Sequence, residues 1–176
     1  MRRRVLVGTL VALLLPGAAQ AQSCTANKIF GFFWLTCNIN TSASITIGTV
    51  MQLSLSGTTT ALTPPTIAGY TTGYVPNAGP TVTVRCNQAW HLQVAAAAAT
   101  WTAVAPARVN KPASDLQWSL AANGTFAGLT TAAVTVTNGT ATAGTVTNFF
   151  YRTLYSFSLD TPGNYSLAVV YTLISP

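Results

Sequence analysis

One histidine, His91, and two carboxylates, Asp115 and Asp160, are the acid–base groups of this chain, and it has no glutamate. That inventory bounds its chemistry. A serine or threonine nucleophile needs a base and an orienting group. Only His91 with Asp115 or Asp160 could supply them. A glycosidase carboxylate pair would consume the same two aspartates. Strand alternation turns His91 outward when its neighbours Trp90 and Leu92 turn in. Asp160 opens the turn sequence Asp160-Thr161-Pro162-Gly163, and Asp115 follows a Pro-containing loop. A single histidine and three cysteines at these spacings match no zinc site. The residues point to a non-enzyme, with no catalytic group, metal or cofactor.

The cysteines are Cys24, Cys37 and Cys86, an odd count. In an exported chain a disulfide is permitted and one thiol is left over. Val82, Val84 and Cys86 share one strand face, and Cys37 shares phase with Ile39. The phase favours a Cys37–Cys86 bond, with Cys24 free or intermolecular. Closing about 49 residues would contribute roughly 4 kcal/mol in the chain-entropy description. Cys24–Cys37 and three free thiols are the alternatives.

Export itself is read from residues 1–21. Met1-Arg2-Arg3-Arg4 is a basic start, Val5 to Leu15 is apolar, and Ala19-Gln20-Ala21 is a small-x-small cleavage site. The apolar run is too short for a permanent bilayer span. A cleaved signal peptide is expected, with an extracellular, cell-surface or periplasmic destination. The three arginines leave with it, so five cations remain against two acids and net charge falls from +6 to +3. Lys28, Arg85, Arg108, Lys111 and Arg152 are too scattered to track phosphates, so no nucleic-acid partner is expected. No later segment is long and apolar enough to span a membrane.

The rest of the chain must be positioned by strands. Period-2 alternation recurs: Ile45 and Ile47, then Met51, Leu53 and Leu55, then Val82, Val84 and Cys86, then Trp90, Leu92 and Val94. Thr58 to Gly79 reads as a loop-rich stretch, as does Ala105 to Ser114. Leu116, Trp118 and Leu120 form another row, and Asn123-Gly124 and Asn138-Gly139 read as hairpin turns. Phe149, Tyr151, Tyr155, Phe157 and Leu159 line one long strand. Tyr165, Leu167, Val169, Tyr171 and Leu173 line the last. The pattern predicts an all-β chain, an antiparallel immunoglobulin-like β-sandwich of about 8–10 strands, with a closed barrel as second choice. The expected organisation is a signal at 1–21, an apolar segment at 22–36 and one β-sandwich domain at 37–176.

Trp90, Trp101 and Trp118 read as core. Trp34 differs, because it sits in the continuous run Ile29-Phe30-Gly31-Phe32-Phe33-Trp34-Leu35. That run is either a fully buried strand or a segment donated to another subunit's sheet, through Ile29, Phe30, Phe32, Phe33, Trp34 and Leu35.

Trp90-His91-Leu92 resembles the first motif of WxL-type bacterial surface domains. Tyr171-Thr172-Leu173, in the closing strand, stands where that family has Trp-x-Leu. The resemblance implies an exported β protein attached non-covalently to cell wall, with Trp90, Leu92, Tyr171 and Leu173 as its motif residues. The early cysteine, the Thr-rich strands and Pro162-Gly163-Asn164-Tyr165 are similar to secreted fimbrial and spore-coat-U-like subunits. That likeness implies polymerisation by donated strands. The expected function is a secreted or cell-surface structural or adhesion-type protein. It acts through other subunits, itself included, or envelope polymer; the alternative is a pilin-like subunit with a donated N-terminal strand.

Overall fold

The computed structural model describes residues 37–39, 41–104 and 106–176. The expected signal, Cys24 and the run Ile29, Phe30, Phe32, Phe33, Trp34 and Leu35 lie outside them. The chain divides into two units between Thr46 and Ile47. Described residues before that point form no helix or strand. Ile45 and Ile47, expected in a strand, are exposed coil, because a lone Ser/Thr/Ile alternation has no sheet to pair with there.

From Ile47 onward the chain is predominantly β, and its strands pair antiparallel. Its strands are β1 (Met51–Leu55), β2 (Tyr74–Cys86), β3 (Trp90–Ala96), β4 (Thr102–Ala103) and β5 (Leu116–Ser119). There follow β6 (Ala127–Gly128), β7 (Val134–Gly139), β8 (Thr142–Leu154), β9 (Tyr165–Ser166) and β10 (Val169–Ile174). One sheet runs β1-β2-β8-β5-β6, a second β10-β3-β7, and β4 pairs with β9.

The inward rows of the two larger sheets make one core. Val82, Val84 and Cys86 of β2, Leu116 of β5, and Phe149 and Tyr151 of β8 come from the first sheet. Trp90, Leu92, Val94 and Ala96 of β3 come from the second. Alternation acts as expected in β2, β3 and the second half of β8, where alternate residues are buried, whereas β1, β7 and β10 bury no residue fully. No described helix is long and apolar enough to cross a membrane.

Several local expectations are corrected. Asn138-Gly139 is not a hairpin turn, since β7 and β8 belong to different sheets. Gly139 is required instead by close packing: a Cβ there would lie 2.8 Å from Cζ2 of the Trp90 indole. Residues 74–79 are strand rather than loop. Pro76 and Pro80 are tolerated because β1 pairs only with Val82–Cys86 and leaves this half of β2 open on one side. A short helix α1 (Ile67–Thr72) precedes it, capped by Thr66, whose hydroxyl accepts from Gly69 N, and closed by Gly73 at φ 79°. β8 ends at Leu154, so Phe157 and Leu159 lie in an exposed turn. β5 ends at Ser119, which leaves Leu120 exposed.

The expected Cys37–Cys86 disulfide is not formed. Cys86 is a free, buried thiol. Its inward phase marks core packing, where a thiol acts as a small apolar group. Cys37 is exposed and is disulfide-bonded, but not to Cys86.

Candidate functional site

The two aspartates are brought together, but with cations rather than with the histidine. Lys111 arrives on the loop after β4, and a single 3-10 turn, Ala113–Asp115, carries Asp115. Lys111 Nζ donates to Asp115 Oδ2 at 3.0 Å, to Asp160 Oδ1 at 3.1 Å and to the Leu154 carbonyl at 2.7 Å. Those bonds use all three ammonium donors. Arg108 Nη1 lies 3.3 Å from Asp160 Oδ1 and 3.6 Å from Asp115 Oδ2. Ser156 N donates to Asp160 Oδ2 at 2.9 Å. Both carboxylates are thus held by two cations in a self-neutral cluster that fastens the 104–115 loop to the 155–160 turn. His91 is on β3, paired in register with Ile174 and Asn138, and has no part in the cluster. Among the described residues no group of three or more His, Cys or Asp side chains could hold a metal ion.

The other described cations are also engaged. Arg152 stacks between Tyr74 and Phe126, with its guanidinium carbon 4.8 and 4.6 Å from the ring centroids, and donates to Gln117 Oε1. Arg85 donates to Gln52 Oε1 and to the Ala143 carbonyl.

The motif residues meet across one strand pair. β10 runs antiparallel to β3, with Leu173 opposite Leu92 and Tyr171 opposite Val94. Trp90 and Leu92 are buried in the core, and Trp90 Nε1 donates to the Thr140 carbonyl at 2.8 Å. Tyr171 and Leu173 are only half-buried.

That half-burial coincides with an opening into the interior. A cleft of about 510 Å³ lies between the segment Leu55–Leu62 and the segment Tyr165–Tyr171. Its floor includes Trp101, Leu116 and Tyr151, each a core residue. The Tyr151 hydroxyl, from β8, is hydrogen-bonded to the Tyr171 hydroxyl, from β10. Burial pushes both phenols above their usual range, and for Tyr171 the neighbouring Tyr151 adds to the rise. The cleft is flanked by two edge strands. Among the described residues β1 is paired only with β2, and β10 only with β3. Neither β1, Met-Gln-Leu-Ser-Leu, nor β10, Val-Val-Tyr-Thr-Leu-Ile, carries a charge.

Sequence reasoning placed Tyr171 and Leu173 on this strand but missed the cleft floor. Trp101, Leu116 and Tyr151 are distant in sequence, and nothing in their local pattern separates a cleft floor from a closed core. The absence of charge on β1 and β10 was legible, and it is the signal that could have flagged these edges. No protein-family model and no curated protein matches the chain.

Proposed function

We propose that the protein is an exported, non-enzymatic structural subunit of the cell envelope or surface that assembles by accepting a β-strand from another copy. The observation that carries this reading is the pair of uncharged edge strands, β1 and β10, beside a cleft floored by core residues. Native edges are usually protected by charge, proline or bulges, because unpaired N–H and C=O groups template further pairing. On β10 the inward row Val169, Tyr171 and Leu173 stays half-covered while Val170 and Ile174 face outward, so both faces are apolar. An extended apolar strand laid along β10 would pair its backbone and cover that row. The run Ile29, Phe30, Phe32, Phe33, Trp34 and Leu35 has the required composition, and we assign it as the donor. In this reading the fold is an immunoglobulin-like sandwich completed by a donated strand.

Export is supported by residues 1–21, and a non-enzymatic role by the ion-paired state of Asp115 and Asp160. Envelope attachment of the WxL kind would have to use residues other than Trp90 and Leu92, which are packed inside.

The test is assembly. The chain recovered from expressing cells should form oligomers stable in mild detergent. A variant lacking residues 22–35 should be monomeric, and a peptide spanning residues 27–36 should bind it saturably. A full-length chain that stays monomeric at high concentration, with a truncated form that ignores the peptide, would refute strand donation. Sedimentation of that monomer with purified cell wall would favour the wall-attached reading instead.

A further inference from the structure

A second crevice, of about 300 Å³, opens beside the ion cluster. Pro64, Pro65, Tyr70, Trp101 and Tyr155 supply apolar and aromatic surface, and the turn Thr161–Asn164 forms a polar lip. Concave, mostly apolar sites with a few fixed polar groups are where proteins hold small ligands, and this one is at the small end of the usual range. The aromatic wall is ordered by its own contacts. Tyr70 and Tyr155 lie 5.8 Å apart between centroids, Tyr70 stacks on Phe157 at 4.4 Å, and the Tyr70 hydroxyl donates to the Asp160 carbonyl at 3.3 Å.

Thr153 also lines the crevice, and its hydroxyl is the described buried side-chain polar atom without a hydrogen-bond partner. Such a group ordinarily costs stability, because it has lost water and gained nothing. The Tyr155 hydroxyl, pushed up by burial, feels the Thr153 side chain as an opposing influence, yet the two do not reach hydrogen-bond geometry. The charge of the walls is closed. Lys111 has spent its three donors, and the two cations balance the two carboxylates. An ionic ligand would therefore find no unpaired counter-charge.

We infer that this crevice is a binding site for a single neutral, hydroxyl-bearing ring of monosaccharide size, with the Thr153 hydroxyl as its buried hydrogen-bonding anchor. One ring face would lie on Tyr155 with Tyr70, tilted 60° to it, against the ring edge, while the ring hydroxyls would reach Thr153 and the Thr161–Asn164 lip. The crevice shares Trp101, Leu62 and Tyr165 with the β1–β10 cleft, but Thr153, Tyr70 and Tyr155, on which the inference rests, line this crevice and not that cleft.

The experiment titrates the protein with glucose, galactose, N-acetylglucosamine and myo-inositol, each up to about 50 mM, and follows amide chemical shifts. At least one probe should give saturable shifts centred on Thr153, Tyr155 and Asn164. Thr153→Val should weaken that binding about tenfold without lowering the unfolding midpoint, since the hydroxyl has no partner to lose. Tyr70→Leu, a change at a half-buried residue of the mostly exposed α1, should weaken it comparably and guards against a Thr153 variant that fails to fold. Absence of saturable shifts with all four probes would overturn the inference. So would binding unchanged by both variants, or tighter binding of glucose 6-phosphate or glucosamine than of glucose.

Discussion

The Tyr151 and Tyr171 hydroxyls are hydrogen-bonded to each other across the interior, joining β8 of the five-stranded sheet to β10 of the three-stranded one. This contact places a polar pair at the edge of an otherwise apolar core. Around it, Phe149 meets Tyr171 edge-on at 5.0 Å between centroids. Removing one hydroxyl strands the other. Tyr171→Phe should cost about 1–3 kcal/mol in urea unfolding, and adding Tyr151→Phe should recover part of that loss. Additive losses would show that the two hydroxyls are not coupled.

The same pair sets an alkaline limit. Both phenols are raised in the folded state above the ordinary value of 10.0. In the unfolded chain they ionise near that ordinary value, so above it the unfolded state binds fewer protons. The stabilisation is fully present below pH 10 and is lost as pH rises from there through the raised folded values. Stability should fall above about pH 10 by up to ~1.4 kcal/mol per pH unit for each tyrosine still protonated in the fold. Denaturation curves at pH 9, 10 and 11 check this, and Tyr171→Phe should flatten the slope. A stability that is level from pH 9 to 11 would contradict the burial of both groups.

Lys111 is the centre of the ion cluster, with its side chain only 2% exposed against 4% for Asp160. Lys111→Met should destabilise by about 3 kcal/mol, because the buried Asp160 carboxylate then keeps the more exposed Arg108 as its ionic partner and the Ser156 N–H as its neutral donor. Lys111→Arg should not restore the loss, since a planar fork cannot reproduce three bonds from one nitrogen. Thermal unfolding of both variants measures this; wild-type stability in Lys111→Met would mean that the cluster contributes little.

Gly139 and Gly144 make a paired test of packing. A Cβ at Gly139 would press on the Trp90 indole, whereas nothing lies within 4 Å of one at Gly144. Gly139→Ala should cost about 1–3 kcal/mol, and Gly144→Ala should be neutral within about 0.5 kcal/mol. Equal effects in guanidinium melts would show that the indole can yield.

The thiols can be assigned by mapping. Cys86 is buried and free, so alkylating reagents should reach it only after unfolding. A non-reducing digest should then contain a Cys24–Cys37 peptide, the pairing that remains for the bonded Cys37. Recovery of a Cys37–Cys86 peptide would reverse that assignment.

The class of the fold and the direction of most core side chains are legible in the sequence. Alternation at Val82, Val84 and Cys86, at Trp90, Leu92 and Val94, and at Phe149 and Tyr151 can satisfy only strands with one buried face, and burial follows it residue by residue. Scarcity of acids is legible too, and it limits which acid–base chemistry the chain could support. Pairing was not legible, because hydrogen bonds between strands are made by backbone atoms that every residue shares. Which sheet each strand joins, and therefore that Asn138-Gly139 crosses between sheets, was decided by tertiary packing around Trp90. The ion cluster was decided the same way: Lys111 and Asp160 are 49 residues apart and meet only because two loops close over one end of the core. So was the fate of Cys86, whose inward phase can mean a disulfide or a filled core position, and only the packed interior distinguishes them.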